Sequence, residues 1–594
     1  MSSSLTAVAA ALDRDRPLGL MLALSFLIGA AYCLWLFGFA FLGGRTGFWL
    51  NSRDVRGAVG ADVSTALSGY YFFLRGAWHL PLFQVDEFGM PRGIAIIFTD
   101  SIPVLALLGR LIYRATGDAL NLFGWWIAAC FILLGMSLTA LVSRLGQRSL
   151  AAALAATLIG LSMPPLLYRW GQPALMAHFE IVLALIFYVA CKGVRRGALR
   201  HFIAAAALLV LALWTNPYIF VMVGAVVAAA LVQAMLDRSL APRAGAAVLL
   251  GLAVVVVTVM LLSGYFEPRG SIDEAGFGHY SLNLLSPFSP QMSGLFPGRR
   301  AFVLDATGGQ YEGFSYLGAG LLLLALLAAR STQRSSLAVL RDWRRRIAGS
   351  WRRHACLWCV LLGFLALAVS NTVYLGGWNL GTVPLPAPLL HLLGVFRSSG
   401  RFCWPALYAL AATAIVAAAA RHPRAGAAVL LVAAFLQWLD AAPLRAAVSA
   451  SAAAAVPPLI DAGAWRRAIA RHHAIRVFPS FACLDKPPFT WTWSRQVAVE
   501  LQLLAGEAGV ATNTVYAGRG APDCPAEAEA AAAFERPAPG ELAVFFAEFP
   551  GFAALQAAAA QPGSLCRASA YLVLCSRDFT AFDPQPLLAA SPAD

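Results

Sequence analysis

A polytopic α-helical membrane protein with a C-terminal extracytoplasmic α/β domain is the fold class this sequence predicts, and three observations predict it. Hydrophobic residues fill 59% of the 594 positions and charged residues only 12%, with a mean hydropathy of +0.69, far from the composition of a soluble globular chain. The apolar residues come in membrane-length runs. Counted as crossings, those runs put every arginine-rich connection on one side, which the positive-inside rule makes cytoplasmic.

A helix needs about 20 apolar residues to cross the hydrocarbon. By that criterion crossings are expected at 18–42, 121–143, 149–167, 174–191, 202–216, 218–236, 244–264, 315–329, 355–374, 403–420 and 425–440, about eleven in all. The basic connections between them are Arg144 to Arg148, Lys192 to Arg200, Arg238 to Arg243, Arg330 to Arg353 and Arg421 to Arg424. Ile102 to Tyr113 is too short to cross, and counting it would move every later basic loop to the wrong side, so it is expected to lie flat on the outer surface. Val63 to Leu74, rich in tyrosine and phenylalanine, is expected to do the same. The first hydrophobic run is too long for a signal-peptide core and lacks a clear cleavage site. It reads as a retained crossing whose Arg14 and Arg16 hold the N-terminus inside. This gives a transmembrane domain over 1–440, with a first outer loop at 43–120 and a second at 265–314, and an outer domain over 441–594.

The formal charge of +14 sits mainly in short cytoplasmic loops, so it implies topology and contact with anionic membrane lipids, not nucleic acid. Six cysteines (Cys33, Cys130, Cys191, Cys356, Cys359, Cys403) lie in or beside crossings, where cysteine behaves as a small apolar residue. Cys356 and Cys359 have metal-type spacing but no second pair near them. Cys483, Cys524, Cys566 and Cys575 all fall in the tail. An odd number of crossings from a cytoplasmic start puts that tail outside, where one or two disulfides form. The tail alternates helix and strand: helices at 464–472, 496–507 and 526–534, strands at 475–481, 512–516, 542–546 and 571–575. It carries no phosphate loop, zinc spacing or nucleophile elbow.

The outer face concentrates the chemistry-bearing residues. The first loop holds Asp54, Asp62, Asp86, Glu87 and Asp100 among many aromatics. Asp62 and Asp100 each precede a helical stretch, so each is a candidate both for a helix cap and for a catalytic carboxylate. Arginines here run against the topology rule and call for another cause. Arg397 and Arg401, four residues apart, and Arg169, which closes the third crossing, suit a phosphate through forked hydrogen bonds; lipid headgroups or an ion pair with Glu312 or Asp305 would explain them equally. Arg299 and Arg300 are weaker candidates. His178 and Glu180 form a polar pair at a crossing's mouth, costly unless it faces a cavity. Asn216-Pro217-Tyr218 reads as a simple turn. Glu312 offers a second acid or metal ligand just outside the bilayer.

Taken together, the phrases Gly-Ala-Asp62, Tyr-Tyr-Phe-Phe, Phe-Thr-Asp100-Ser-Ile-Pro, Gln-Tyr-Glu312-Gly and Arg-Ser-Ser-Gly-Arg401, on a large first outer loop followed by many crossings and an outer C-terminal domain, resemble an uncharacterised bacterial branch of the GT-C superfamily of integral-membrane glycosyltransferases. The resemblance implies an inverting transferase of the bacterial inner membrane that moves a sugar from a polyprenyl-phosphate carrier to an envelope glycan, lipid or protein acceptor. It implies an aspartate early in the first outer loop as general base, a position that Asp62, and secondarily Asp54, matches. The adjacent acidic pair common at that place is missing, so a divalent cation held by Asp62 and Asp100 is compatible but not required. In this reading Asp62 takes the acceptor proton, Asp100 orients it or binds metal or acceptor, Arg397, Arg401 and Arg169 hold the lipid phosphate, and Glu312 and His178 line the cavity. The rivals are a lipid-linked glycan flippase, which should place polar groups at mid-span, and a non-catalytic envelope-assembly protein.

Overall fold

The computed structural model describes residues 14–191, 197–267, 276–296, 305–330, 336–422, 425–454, 456–484, 492–518, 523–579 and 582–589. Arg299 and Arg300 lie outside the described residues. The chain divides into two compact units, one formed by Met1–Phe39, Trp125–Val257 and Ile272–Ala450, the other by Ala40–Gly124, Thr258–Ser271 and Ser451–Asp594.

Among the described residues, eight helices are long and apolar enough to cross a membrane: Leu18–Leu42, Phe123–Arg144, Leu150–Tyr168, Pro173–Cys191, Pro217–Leu236, Pro242–Ser263, Arg344–Val369 and Ser399–Arg421. Gly426–Asp440 and Ala442–Ala453, bent by 50° at their junction, make a ninth if they count as one. Each stretch expected to cross does carry a helix, but the count of about eleven is not reached, because Ala198–Leu213 and Ala319–Ala329 are apolar yet short. The 16 residues of the first rise only about 24 Å against roughly 30 Å of hydrocarbon. Local chemistry sets these limits. Asn216 caps the helix that follows by accepting the Tyr218 N–H at 2.9 Å, with Pro217 in the first helical position where its missing N–H costs nothing. The expected crossing at 355–374 ends at Val369, and Thr372–Leu375 pairs antiparallel with Trp378–Thr382 in a hairpin.

In the first unit, Pro217–Leu236 packs on His178–Cys191 and on Ser336–Val369, while Gly426–Asp440 packs on Leu150–Leu161 and Ala319–Ala329. Several of its buried polar groups pair with one another. The Ser25 hydroxyl lies 2.9 Å from that of Thr139 and 2.7 Å from that of Thr157, and Asp440 accepts from the Tyr316 hydroxyl at 2.8 Å and the Ala319 N–H at 2.7 Å.

The second unit joins the first outer loop to the tail. Its five-stranded sheet runs Cys566–Ala568, Leu572–Cys575, Glu541–Phe546, Ala474–Phe478, Ala511–Thr512; the last three strands are parallel and the first two antiparallel. The tail cysteines form two disulfides, Cys483–Cys524 and Cys566–Cys575, the second between cross-strand partners; the other six are not disulfide-bonded. Closing 41- and nine-residue separations constrains the unfolded chain by about 3–4 kcal/mol each. The helix Asp62–Arg75 packs against Trp493–Ala508 and against Pro103–Thr116. Residues 63–74 are all buried, which corrects the expectation of an interfacial helix. Phe72 stacks on Phe88 at 4.6 Å, Phe73 meets Phe83 at 5.5 Å and the Tyr70 hydroxyl donates to the Leu120 carbonyl, so the aromatic run is core. Pro103–Thr116 does keep an exposed apolar edge, Leu108 and Leu111. Its Arg110 turns inward, 3.8 Å from the centre of the Trp78 ring, and donates to the Gly76 carbonyl at 2.6 Å.

Candidate functional site

Two groups of candidate residues take shape, one in each unit. In the first, three short irregular segments meet: the end of Leu150–Tyr168, the 3-10 turn Gln310–Gly313 and the 3-10 turn Ser399–Cys403. The two turns touch backbone to backbone, since a Cβ on Gly400 would lie 2.5 Å from the Gly313 Cα; only glycine permits that approach. The turns carry Glu312 and Arg401, and Arg169 follows Tyr168. Arg169 Nη1 and Arg401 both donate to Glu312 Oε2, the latter through Nε at 3.0 Å and Nη2 at 2.9 Å. Arg169 also reaches Gln172 at 3.0 Å and the Tyr311 carbonyl at 3.3 Å. Arg401 lies 4.7 Å from the centre of the Tyr218 ring.

All three charges are buried. Burial alone would push the Glu312 carboxyl up, but the Arg169 and Arg401 guanidinia outweigh it and hold the group at about 2. Glu312 is therefore an anion at neutral pH and cannot act as a proton donor there. Two guanidinia thus converge on one carboxylate in a dehydrated place. Of the predicted pair Arg397 and Arg401, only Arg401 joins this centre. Arg397 is exposed, 6.0 Å from the Tyr280 ring centre, because the turn that begins at Ser398 separates the two side chains.

His178 is fully buried, with Nδ1 sharing a hydrogen bond of 2.7 Å with the Tyr408 hydroxyl and its ring 4.1 Å from Trp404. Its Nε2, and Oε2 of Glu180, have no hydrogen-bond partner among the described residues. Glu180 Oε1 accepts from Thr215 at 2.8 Å.

The second unit holds the carboxylates. Asp62 is the first residue of its helix, Ala61 is the cap position and no side chain caps it; the half-buried Asp62 Oδ1 instead accepts from the Tyr516 hydroxyl at 3.4 Å. Tyr516 is fixed by its N–H to Gln502 at 2.8 Å and by Phe481, 4.6 Å away. Asp100 is exposed and adopts a left-handed φ of 52°, as does Ile102 at 50°, the cap residue of Pro103–Thr116. A β-branched residue in that region is strained. The loop is pinned by Gly69, where any Cβ would collide with the Ser101 hydroxyl, and by the Thr99–Ser101 hydroxyl contact of 2.8 Å. Neither aspartate is thus a helix cap. The tail reaches both phrases, with Tyr516 at Asp62 and the Gly518 N–H on the Phe98 carbonyl at 2.8 Å. Asp54 is taken up by its own turn, pairing with Arg56 at 2.6 Å and accepting the Arg56 and Ala58 N–H groups.

Sequence reasoning missed Tyr516, Tyr218 and Gln172. Tyr218 belongs to a stretch expected to be only a turn, yet its ring faces Arg401 and its hydroxyl accepts the Ser398 N–H at 3.0 Å. Among the described residues no three His, Cys, Asp or Glu side chains gather to hold a metal ion. Asp62 and Asp100 lack a third acidic or imidazole ligand, so the donor set does not fit a closed metal site and no step below runs through one.

The family described as Domain of unknown function (DUF6311) matches residues 26–442, and its companion, the DUF6311 C-terminal domain, matches residues 464–577. The chain belongs to this family. No curated protein matches it.

Proposed function

We propose that this DUF6311 family member is an inverting glycosyltransferase that uses a polyprenyl-phosphate-linked sugar. The observation that carries the reading is the buried Arg169–Glu312–Arg401 centre, two guanidinia meeting at the ends of apolar helices long enough to cross a membrane. A guanidinium fork kept rigid by a carboxylate neighbour and an aromatic face is a preorganised phosphate ligand. Arg401 and Arg169 hold the lipid phosphate and stabilise the charge that grows on it. The reaction needs a carboxylate to accept the proton of the acceptor hydroxyl as that oxygen forms a bond to C1, a role assigned to Asp62, which Tyr516 contacts within the second unit, from its place in the first loop. The bond from C1 to the phosphate oxygen breaks on the opposite face, and its electron pair leaves with the polyprenyl phosphate. Asp100 orients the acceptor from a strained loop, and Arg397, exposed, meets headgroup phosphate. The acceptor class is an envelope glycan, lipid or protein.

The reading includes about eleven crossings in a bacterial inner membrane, an inside N-terminus and an outside C-terminal domain. The asymmetry of the basic loops and the two tail disulfides support that orientation. A flippase is the second reading, favoured by the unpartnered atoms of His178 and Glu180 inside a membrane helix. Purified protein incubated with a panel of polyprenyl-phosphate sugars separates the two: a transferase releases free polyprenyl phosphate and a flippase does not. Asp62→Asn is expected to stop that release while carrier binding survives. Undiminished release would remove Asp62 from the role.

A further inference from the structure

A groove of about 230 Å³ runs along the first unit, lined by Ile28, Ala31, Tyr32, Trp35, Leu158, Leu161 and Trp438. Trp35 and Ala31 are exposed on a helix whose outward face is apolar, so the groove opens where a bilayer would supply hydrocarbon. One end is polar. The Tyr32 hydroxyl donates to the Leu161 carbonyl at 3.2 Å. Arg445, only 4% exposed, lies with its guanidinium 3.8 Å from the centre of the same Trp438 ring that walls the groove.

That guanidinium is under-used. Nη1 makes one long hydrogen bond of 3.4 Å to the Ser162 hydroxyl, and Nε has no partner among the described residues. Asp440, five positions earlier, is committed to Tyr316, Ser293 and the Ala319 N–H. Among the described residues no carboxylate pairs with this guanidinium, and a buried cation in that state is strongly unfavourable, which an anion would relieve. The shape and the charge together specify one: a hydrocarbon chain for the apolar length and a phosphate for the arginine end.

We infer that this groove is a binding site for an anionic phospholipid of the surrounding bilayer, with one acyl chain along Ile28, Ala31, Leu158 and Trp438 and the headgroup phosphate on Arg445. The site does not depend on the glycosyltransferase reading. It uses none of the residues given a role there.

The full-length protein in mixed micelles is titrated with phosphatidylglycerol or with phosphatidylcholine, and bound lipid is counted by native mass spectrometry. The wild type is expected to prefer phosphatidylglycerol by roughly fivefold or more, the worth of one basic side chain at a headgroup. Arg445→Gln erases the preference, Arg445→Lys keeps part of it, and Ala31→Phe, at an exposed position where a larger side chain displaces no core residue, lowers retention of both lipids by filling the groove. Equal affinity for the two lipids in the wild type, or a preference that survives Arg445→Gln, overturns the proposal. So does polyprenyl phosphate displacing phosphatidylglycerol at equal concentration, since the occupant would then be the carrier.

Discussion

The Arg169–Glu312–Arg401 centre and the Asp62–Asp100 region are built from the same kinds of charge and use them in opposite ways. In the first, three charges are buried, crossed by several hydrogen bonds and locked between turns whose backbones touch. In the second, one carboxylate is half-buried and meets the Tyr516 hydroxyl at 3.4 Å, and the other is exposed on strained backbone. A charge so enclosed that its loss leaves its neighbours uncompensated is architectural as well as functional. A carboxylate that keeps part of its surface open is available to a substrate and contributes less to the fold. The two regions should therefore respond to substitution along different axes.

Asp62→Asn is the strongest way to break that contrast. Removing a general base costs roughly 10²–10⁴ in rate, and because Asp62 is only half-buried and asparagine keeps its size the protein should remain folded, as circular dichroism and size exclusion will show. If the variant fails to fold instead, the carboxylate region is architectural too and the contrast collapses. Glu312→Ala is the converse. It strands two buried guanidinia and should lower stability by about 3–5 kcal/mol, read as early loss of monodisperse protein on heating in detergent, before any question of activity arises. A Glu312→Ala variant as heat-resistant as the wild type would mean that the arginines have another counter-ion.

What the sequence made legible follows the same division. Arg401 stood out because it violates the topology rule, and Glu312 because it lies just outside a crossing; both belong to the centre. Asp62 was marked by its place in the first loop. Its partner was not, because Tyr516 lies 454 positions away in a strand-like stretch with no motif of its own. The outcome for Asp100 was also beyond reading: Thr-Asp-Ser-Ile-Pro has a capping composition, but Asp100 and Ile102 are left-handed in a loop packed closely on Gly69, and the cap position falls to Ile102. Hydropathy placed a helix in each stretch expected to cross, but eight or nine are long enough among the described residues, since it measures apolar length and not where a cap such as Asn216 or Gly318 begins a helix. It also mistook the Tyr70 to Phe73 run for an interfacial face, because aromatics favour a protein core as readily as a headgroup layer.

pH sharpens the comparison through a second buried acid. The Glu312 carboxyl is held down by Arg169 and Arg401 against its burial, so the fold favours its ionised form. That stabilisation is complete above the ordinary carboxylate range and is lost as pH falls from there toward about 2. Glu500, in the second unit, is the reverse. Burial raises it, and its hydrogen bonds from Asn51 and Leu459 offset this only in part, so the fold favours its protonated form and stability is lost as pH rises through the window above the ordinary range. Region-resolved hydrogen exchange should find Trp493–Ala508 better protected at about pH 5 than at about pH 7, with Gln310–Gly313 unchanged until the pH drops below about 4. Both regions moving together in the same direction would show that the two units do not titrate independently.

Tyr516→Phe carries the smallest expected effect and tests the finest point, whether the second unit positions its base or merely contains it. The hydroxyl-to-carboxylate bond is long at 3.4 Å, so its net worth is about 0.5–1.5 kcal/mol, or up to roughly tenfold in rate. The ring keeps its packing against Phe481 and the backbone N–H keeps Gln502, so stability should not change. A purely structural tyrosine would leave kcat alone. Loss of a tyrosine that orients Asp62 should lower kcat without raising KM. Should kcat stay where it is, Tyr516 does not position Asp62, and the tail contributes only packing beside it.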